Sequence, residues 1–300
     1  MALPLVDGSG LRMESRSSRK RNTSLVCNVR KRCGFTITTK RCCRPSTHHA
    51  AIFEQGHTVG DWAKKLFPRG IDLGRLTGFE KPVRATHTAL RKGRAIFEAS
   101  FTYNSCFSRA DIIVPTEDGR WDIIEVKSSG APDDIGDLRE VYLQDLAFQR
   151  YVYEGAGLLV RNSYLLLLNK KYLRSGVIDP QQLLARVDVT DRVNALLPRV
   201  PAKVEEMRGG LALSQCPEVK VSRHCSTPYD CALTDACWSF LPQSSVFNLR
   251  DGRSKPWDLL ARGILRIEDV PADFSLNAQQ SSQVACHRTG LPYMDQHAKQ

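Results

Sequence analysis

Asp111, Glu125 and Lys127 are close enough in sequence to do chemistry together. The stretch reads Arg-Ala-Asp-Ile-Ile-Val-Pro over 109–115, Thr-Glu-Asp-Gly-Arg over 116–120, and Trp-Asp-Ile-Ile-Glu-Val-Lys-Ser over 121–128. Two apolar runs rich in β-branched residues around an Asp-Gly pair predict a β-hairpin. Side chains two apart on a strand share a face, so Glu125 and Lys127 point the same way. An antiparallel return carries that pair back beside Asp111. Two hard carboxylates suit Mg2+ or Mn2+, ions that keep several waters. Such an ion lowers the pKa of a bound water and polarises a phosphoryl oxygen. A neighbouring lysine orients that water or neutralises charge growing on the phosphate. A bare Glu-x-Lys is common by chance, and a solvated surface hairpin fits these residues too.

The elements around the hairpin follow from pattern. Residues 51–68 read as a helix, with Phe53, Val59, Trp62, Ala63 and Leu66 on one broad face and Pro68 and Gly70 ending it. Glu54 and His57 lie on it, where a solvated face is the plain role. Thr86 to Gly93 suggests a second helix. Arg94 to Tyr103 alternates like a strand, and it puts Glu98 within reach of the hairpin. Arg109 either caps the strand or meets a phosphate. After a loop at 128–134, a helix covers about 140–154. Asp145, Gln149 and Tyr153 are polar groups on its largely apolar surface, where structural hydrogen bonds are the plain expectation. Tyr164 to Leu168 is a continuous apolar run suited to a buried strand. Asp179-Pro180 opens a helix that includes Leu183 and Leu184, and a long helix from Thr190 to about Met207 is interrupted by Pro198 and Pro201. This order predicts an α/β core with a mixed sheet.

A second signal lies further on. Cys216, Cys225, Cys231 and Cys237 are separated by eight, five and five residues. Zinc modules prefer tighter pairs. Four thiolates can hold Zn2+ or a [4Fe–4S] cluster; spacing leaves both open, along with no metal at all.

Asp111, the Glu125-x-Lys127 strand and a helix carrying Gln149-x-x-x-Tyr153 resemble the PD-(D/E)XK nucleases of the RecB-like branch. His224 to Trp238 resembles the C-terminal cysteine segment of its iron–sulfur members. The resemblance implies a restriction-endonuclease-like core, a mixed sheet flanked by helices, followed by a cysteine-rich cluster segment. It implies a DNA nuclease acting as an exonuclease on single-stranded ends. Asp111, Glu125 and the Val126 carbonyl would hold the Mg2+ or Mn2+, and Lys127 would position water. Gln149 and Tyr153 become DNA-contact candidates, because in relatives this helix borders the DNA groove. Cys225, Cys231 and Cys237 would join Cys27, with Cys33 or Cys216 as substitutes, in a [4Fe–4S] staple (or Zn2+). Cys106 and Cys286 are expected to be plain thiols.

The implied organisation is a basic arm at 1–49, a nuclease domain at 50–240 closed by the cysteines, and a helical extension at 241–300. Residues 50–300 resemble the first half of large bacterial proteins that add an RNase H-like exonuclease domain. That second domain is missing here, so a fragment or truncated product is expected.

Charge sharpens the expected partner. The net charge is +11, and residues 1–49 carry +9 of it, so residues 50–300 carry only +2. A nucleic-acid surface in the body must then be local, or the arm must supply it. An apolar content of 42% allows a proper core. No run of about 18 apolar residues spans a membrane, and the first ten residues lack a secretory pattern. A cytoplasmic location is expected, where ten cysteines call for metal binding rather than disulfides. The competing expectation is a non-catalytic, metal-stapled nucleic-acid-binding module.

Overall fold

The computed structural model describes residues 13–14, 47–211, 221–227, 231 and 234–292; of 13–14, 47–54, 211 and 235–236 it describes the backbone alone. The arm, with Cys27 and Cys33, lies otherwise outside the described residues, as does Cys216. By contacts the chain divides into two compact units, Met1–Glu218 and Val219–Gln300.

The first unit is a mixed α/β fold. Its strands are β1 Met13–Glu14, β2 Ile71–Asp72, β3 Ile96–Tyr103, β4 Cys106–Pro115, β5 Trp121–Gly130, β6 Val160–Leu168 and β7 Leu184–Asp188. They form one sheet in the order β2-β3-β4-β5-β6-β7, with β1 pairing off that path onto β4. β3, β4 and β5 run antiparallel. β6 lies parallel to β5, and β7 returns antiparallel on β6. The helices are α1 Thr47–Lys64, α2 Glu80–Leu90, α3 Glu140–Gly155, α4 Pro180–Leu183, α5 Thr190–Leu196 and α6 Val200–Leu211. α3 is the crossover that a parallel β5–β6 pair requires.

The β4–β5 hairpin closes where the sequence demands it. Gly119 has φ 77°, a conformation other residues adopt only at a cost. The Thr116 hydroxyl donates to the Arg120 carbonyl at 2.7 Å.

The sheet is covered on both faces, which explains why Tyr164 to Leu168 is apolar without alternation. One core joins Ile113, Ile123, Leu165 and Leu167 to Leu143, Leu146 and Val152 of α3 and Ala89 of α2. The other joins Phe97, Ile112, Ile124, Val126 and Leu166 to Val59 and Ala63 of α1. Each fully buried aliphatic side chain contributes about 1.5–3 kcal/mol.

Several elements differ from the sequence expectation. α2 begins at Glu80, earlier than Thr86, because Pro82 sits in a first turn where its missing N–H costs nothing. The helix expected through Leu184 is a single turn, and Leu184 opens β7 instead. The long helix from Thr190 is broken at the expected prolines: α5, a 3-10 turn at Leu197–Arg199, then α6.

The second unit holds α7 Thr234–Cys237, α8 Lys255–Ala261 and α9 Ala278–Thr289. Val246, Leu249, Leu259, Ile267, Val270 and Val284 form its core. Trp238, Phe247 and Trp257 meet edge to face, with ring centroids 4.7–5.6 Å apart. Cys225, Cys231 and Cys237 belong to this unit and not to the one that carries the hairpin.

Candidate functional site

The site is built on three neighbouring strands. The β4–β5 register pairs Ile112 with Ile124 and Ile113 with Ile123, so Asp111 falls opposite Glu125. The β3–β4 register pairs Phe97 with Ile112 and Ala99 with Ala110, so Glu98 falls opposite Asp111. Glu98, Asp111 and Glu125 therefore form a row across the sheet.

The Glu98–Asp111 pair is missing from an otherwise continuous ladder. Glu98 has φ 59°, which costs a non-glycine residue about 1–2 kcal/mol. The side-chain alternation changes phase at this point. Ile96 and Ala99 enter the same core although they are three positions apart, and so do Ala110 and Ile113. A regular strand sends such pairs to opposite faces. The irregularity thus sits at two of the three carboxylates.

Hydrogen bonds fix the rest. The Val126 amide donates to Asp111 Oδ2 at 2.8 Å. Lys127 Nζ reaches Glu125 Oε1 at 2.5 Å and Asp145 Oδ2 at 3.0 Å. Gln149 Nε2 donates to Glu125 Oε2 at 2.8 Å, and Tyr153 OH donates to Gln149 Oε1 at 3.1 Å. Ser108 Oγ, on β4, donates to the Tyr153 hydroxyl at 3.0 Å. Asp145, Gln149 and Tyr153 recur every four residues on α3, so one helix face delivers all three to the sheet. A cleft of about 290 Å³ opens nearby, lined by Ser129, Arg139, Tyr142 and Lys170 among others. Lys127 Nζ lies 5.3 Å from the centre of the Tyr142 ring.

The electrostatics of this cluster are unbalanced. Burial pushes the Asp111 carboxyl well above the usual carboxylate range, and repulsion from Glu125 and Glu98 adds to it. Burial likewise pushes Glu98 up to about 7, against the pull of Arg109. Burial opposes the Lys127 charge, but Glu125, Asp145 and Asp111 outweigh it and hold its pKa above the ordinary value. Lys127 is a fixed cation at neutral pH. The carboxylates crowd one another and would be relieved by a further positive charge.

Among the described residues, no three His, Cys, Asp or Glu side chains are placed to hold an ion by themselves. Mg2+ does not need three: one or two carboxylates, waters and substrate phosphates complete its shell. Asp111 and Glu125 offer hard oxygens of the right kind, and the Val126 amide is hydrogen-bonded to Asp111. This donor set fits Mg2+ or Mn2+.

Other candidates sit elsewhere. Gln149 and Tyr153, expected at DNA, are 1% and 0% exposed. They present no surface to a nucleic acid; Gln149 donates to Glu125 and Tyr153 donates to Gln149. Arg109 is buried, donates to Ser100 Oγ at 3.1 Å and to the Leu76 carbonyl at 3.3 Å, and lies 4.0 Å from Glu98. It props the site from within and does not await a phosphate. His57 is exposed on α1, whose buried residues pack on the other face of the sheet. The Glu54 side chain lies outside the described residues. Cys225 and Cys231 are buried and Cys237 is partly so, with the Cys231 amide donating to the Cys225 carbonyl at 2.8 Å. These three do not form a metal-holding group in the described residues. Asp145 was visible in sequence only as a polar group on an apolar helix; its four-residue spacing from Gln149 was the signal for its role.

No protein-family model and no curated protein sequence matches the chain. Solved structures similar to it include SSO0001, at 13% identity over 54% of this chain and 69% of that one, with a TM-score of 0.28. Another is the alkaline exonuclease LHK-Exo of Laribacter hongkongensis, at 10% identity over 63% of this chain and 93% of that one, with a TM-score of 0.26. The functional reading rests on the geometry of the site.

Proposed function

We propose that the protein is a divalent-metal-dependent deoxyribonuclease of the PD-(D/E)XK type. The observation that carries this is the convergence of Asp111 and Glu125 with a buried, permanently charged Lys127. When bound, Mg2+ or Mn2+ would activate a water and polarise the scissile phosphate. Asp111 and Glu125 would hold it. Lys127 cannot serve as a base while its charge is locked in by three carboxylates, so it acts as a positive group toward the water or the phosphate. Gln149 fixes one oxygen of Glu125 and Lys127 the other, which sets the orientation of that carboxylate.

The test is degradation of end-labelled DNA in Mn2+ by anaerobically purified protein. Lys127→Ala or Asp111→Asn should lower the rate at least about 100-fold. Linear and circular, single- and double-stranded substrates in the same assay test the preference for single-stranded ends that the resemblance implies. No cleavage by the native chain, with DNA binding intact, would favour the non-catalytic module. The cysteines form a separate part of the reading. About four irons with matching sulfide per chain would support a cluster at Cys225, Cys231 and Cys237, and about one zinc would support a zinc site.

A further inference from the structure

The body of the chain is nearly neutral, yet one part of it is strongly basic. Residues 64–94 hold nine Lys or Arg and only Asp72 and Glu80 as acids, a net +7. Residues 50–300 together carry +2, so the remainder of that body is net −5.

The fold turns this count into a surface. α2 buries Pro82, Thr86 and Ala89, and the Thr86 hydroxyl oxygen accepts from the Ser100 amide at 2.8 Å on β3. Lys81, Arg84 and Arg91 lie on the opposite side of the helix and are exposed. Ala89 shares a core with α3, so α2 lies on the sheet face that carries Asp145 and Gln149. The loop before α2 leads directly to the carboxylates. Gly74 is packed so closely that an added Cβ would meet Glu98 Cγ at 3.2 Å. The next residue, Arg75, is exposed. No large apolar side chain of this segment is exposed among the described residues, so it has no anchor for a bilayer.

We propose that this surface, from Arg75 across Lys81, Arg84 and Arg91, is where the phosphodiester backbone of the substrate lies. The proposal rests on the nuclease reading for its choice of polyanion. It adds where the strand runs and that the contacts are to phosphates, without reading sequence.

The experiment is fluorescence anisotropy of a labelled oligonucleotide with the full chain in EDTA, so that nothing is cleaved, over a range of salt. The native chain, its basic arm included, sets the reference slope of log K against log salt. Lys81→Gln/Arg84→Gln/Arg91→Gln should make that slope shallower by about 2 to 3, at roughly 0.7–0.9 per lost phosphate contact, and weaken low-salt binding about tenfold or more. Arg75→Gln alone should remove about one contact. Lys171→Gln/Arg174→Gln, which changes exposed cations on the loop between β6 and α4, should leave the slope unchanged. An unchanged slope in the triple variant overturns the proposal, and so does an equal loss in the loop variant. Retained DNA binding with lost flotation on anionic vesicles would assign the surface to a membrane and also overturn it. A native chain that binds through this surface but never cleaves removes the hydrolysis reading and leaves this one standing.

Discussion

Glu98 combines a left-handed backbone with a buried carboxyl, two costs that a purely structural residue would shed. Its pKa, pushed up to about 7 by burial, means the folded chain keeps a proton that the unfolded chain releases near 4.5. The resulting stabilisation is present at acid pH and disappears as pH rises through about 7. Native protein measured against Glu98→Gln should therefore lose its advantage over that window in thermal melts without metal. Glu98→Gly should relieve the backbone and gain about 1 kcal/mol in urea unfolding, while lowering cleavage. Gln149 gives a second outcome at this scale. Gln149→Ala should cut the rate about 10- to 100-fold by releasing Glu125, with DNA affinity in EDTA unchanged. A parallel loss of affinity would return it to the DNA-contact role. The left-handed φ at Glu98 was not legible in the sequence, because such positions announce themselves by Gly or Asn, and glutamate gives no sign.

α3 and β5 are joined by polar contacts as well as apolar ones, and those contacts are interdependent. Lys127 has two carboxylate partners, one from its own strand and one from the helix. Asp145→Ala leaves a buried lysine with half its compensation and should cost about 3–5 kcal/mol in urea unfolding. Asp145→Asn keeps the shape and a hydrogen-bonding oxygen, and should cost less. The hairpin and α3 were legible because each carries its own punctuation: Asp118-Gly119 in one, and an apolar helix stripe over 140–154 in the other. β7 was not. Leu184 to Asp188 is five residues long, alternates only weakly in burial and follows Asp179-Pro180, a strong helix start. Only pairing with β6 makes it a strand, and pairing is a non-local fact.

Among the described residues the first unit has a core on each face of its sheet, and the second unit has a core of its own. Two units with separate cores predict two unfolding transitions in calorimetry. Leu259→Ala, at a fully buried position in the core of the second unit, should lower one transition by about 2–5 kcal/mol and leave the other in place. No helix among the described residues is long and apolar enough to cross a membrane.

The four tryptophans are shared equally between the units: Trp62 and Trp121 in the first, Trp238 and Trp257 in the second. In the second, the two indoles stand 5.6 Å apart at 84°, close enough for their electronic transitions to couple. Near-ultraviolet circular dichroism should therefore contain a band belonging to that unit alone. With Trp62 and Trp121 replaced by phenylalanine, emission would follow the same unit. The protein carries an intrinsic optical reporter for the unit that holds Cys225, Cys231 and Cys237, and needs no attached dye.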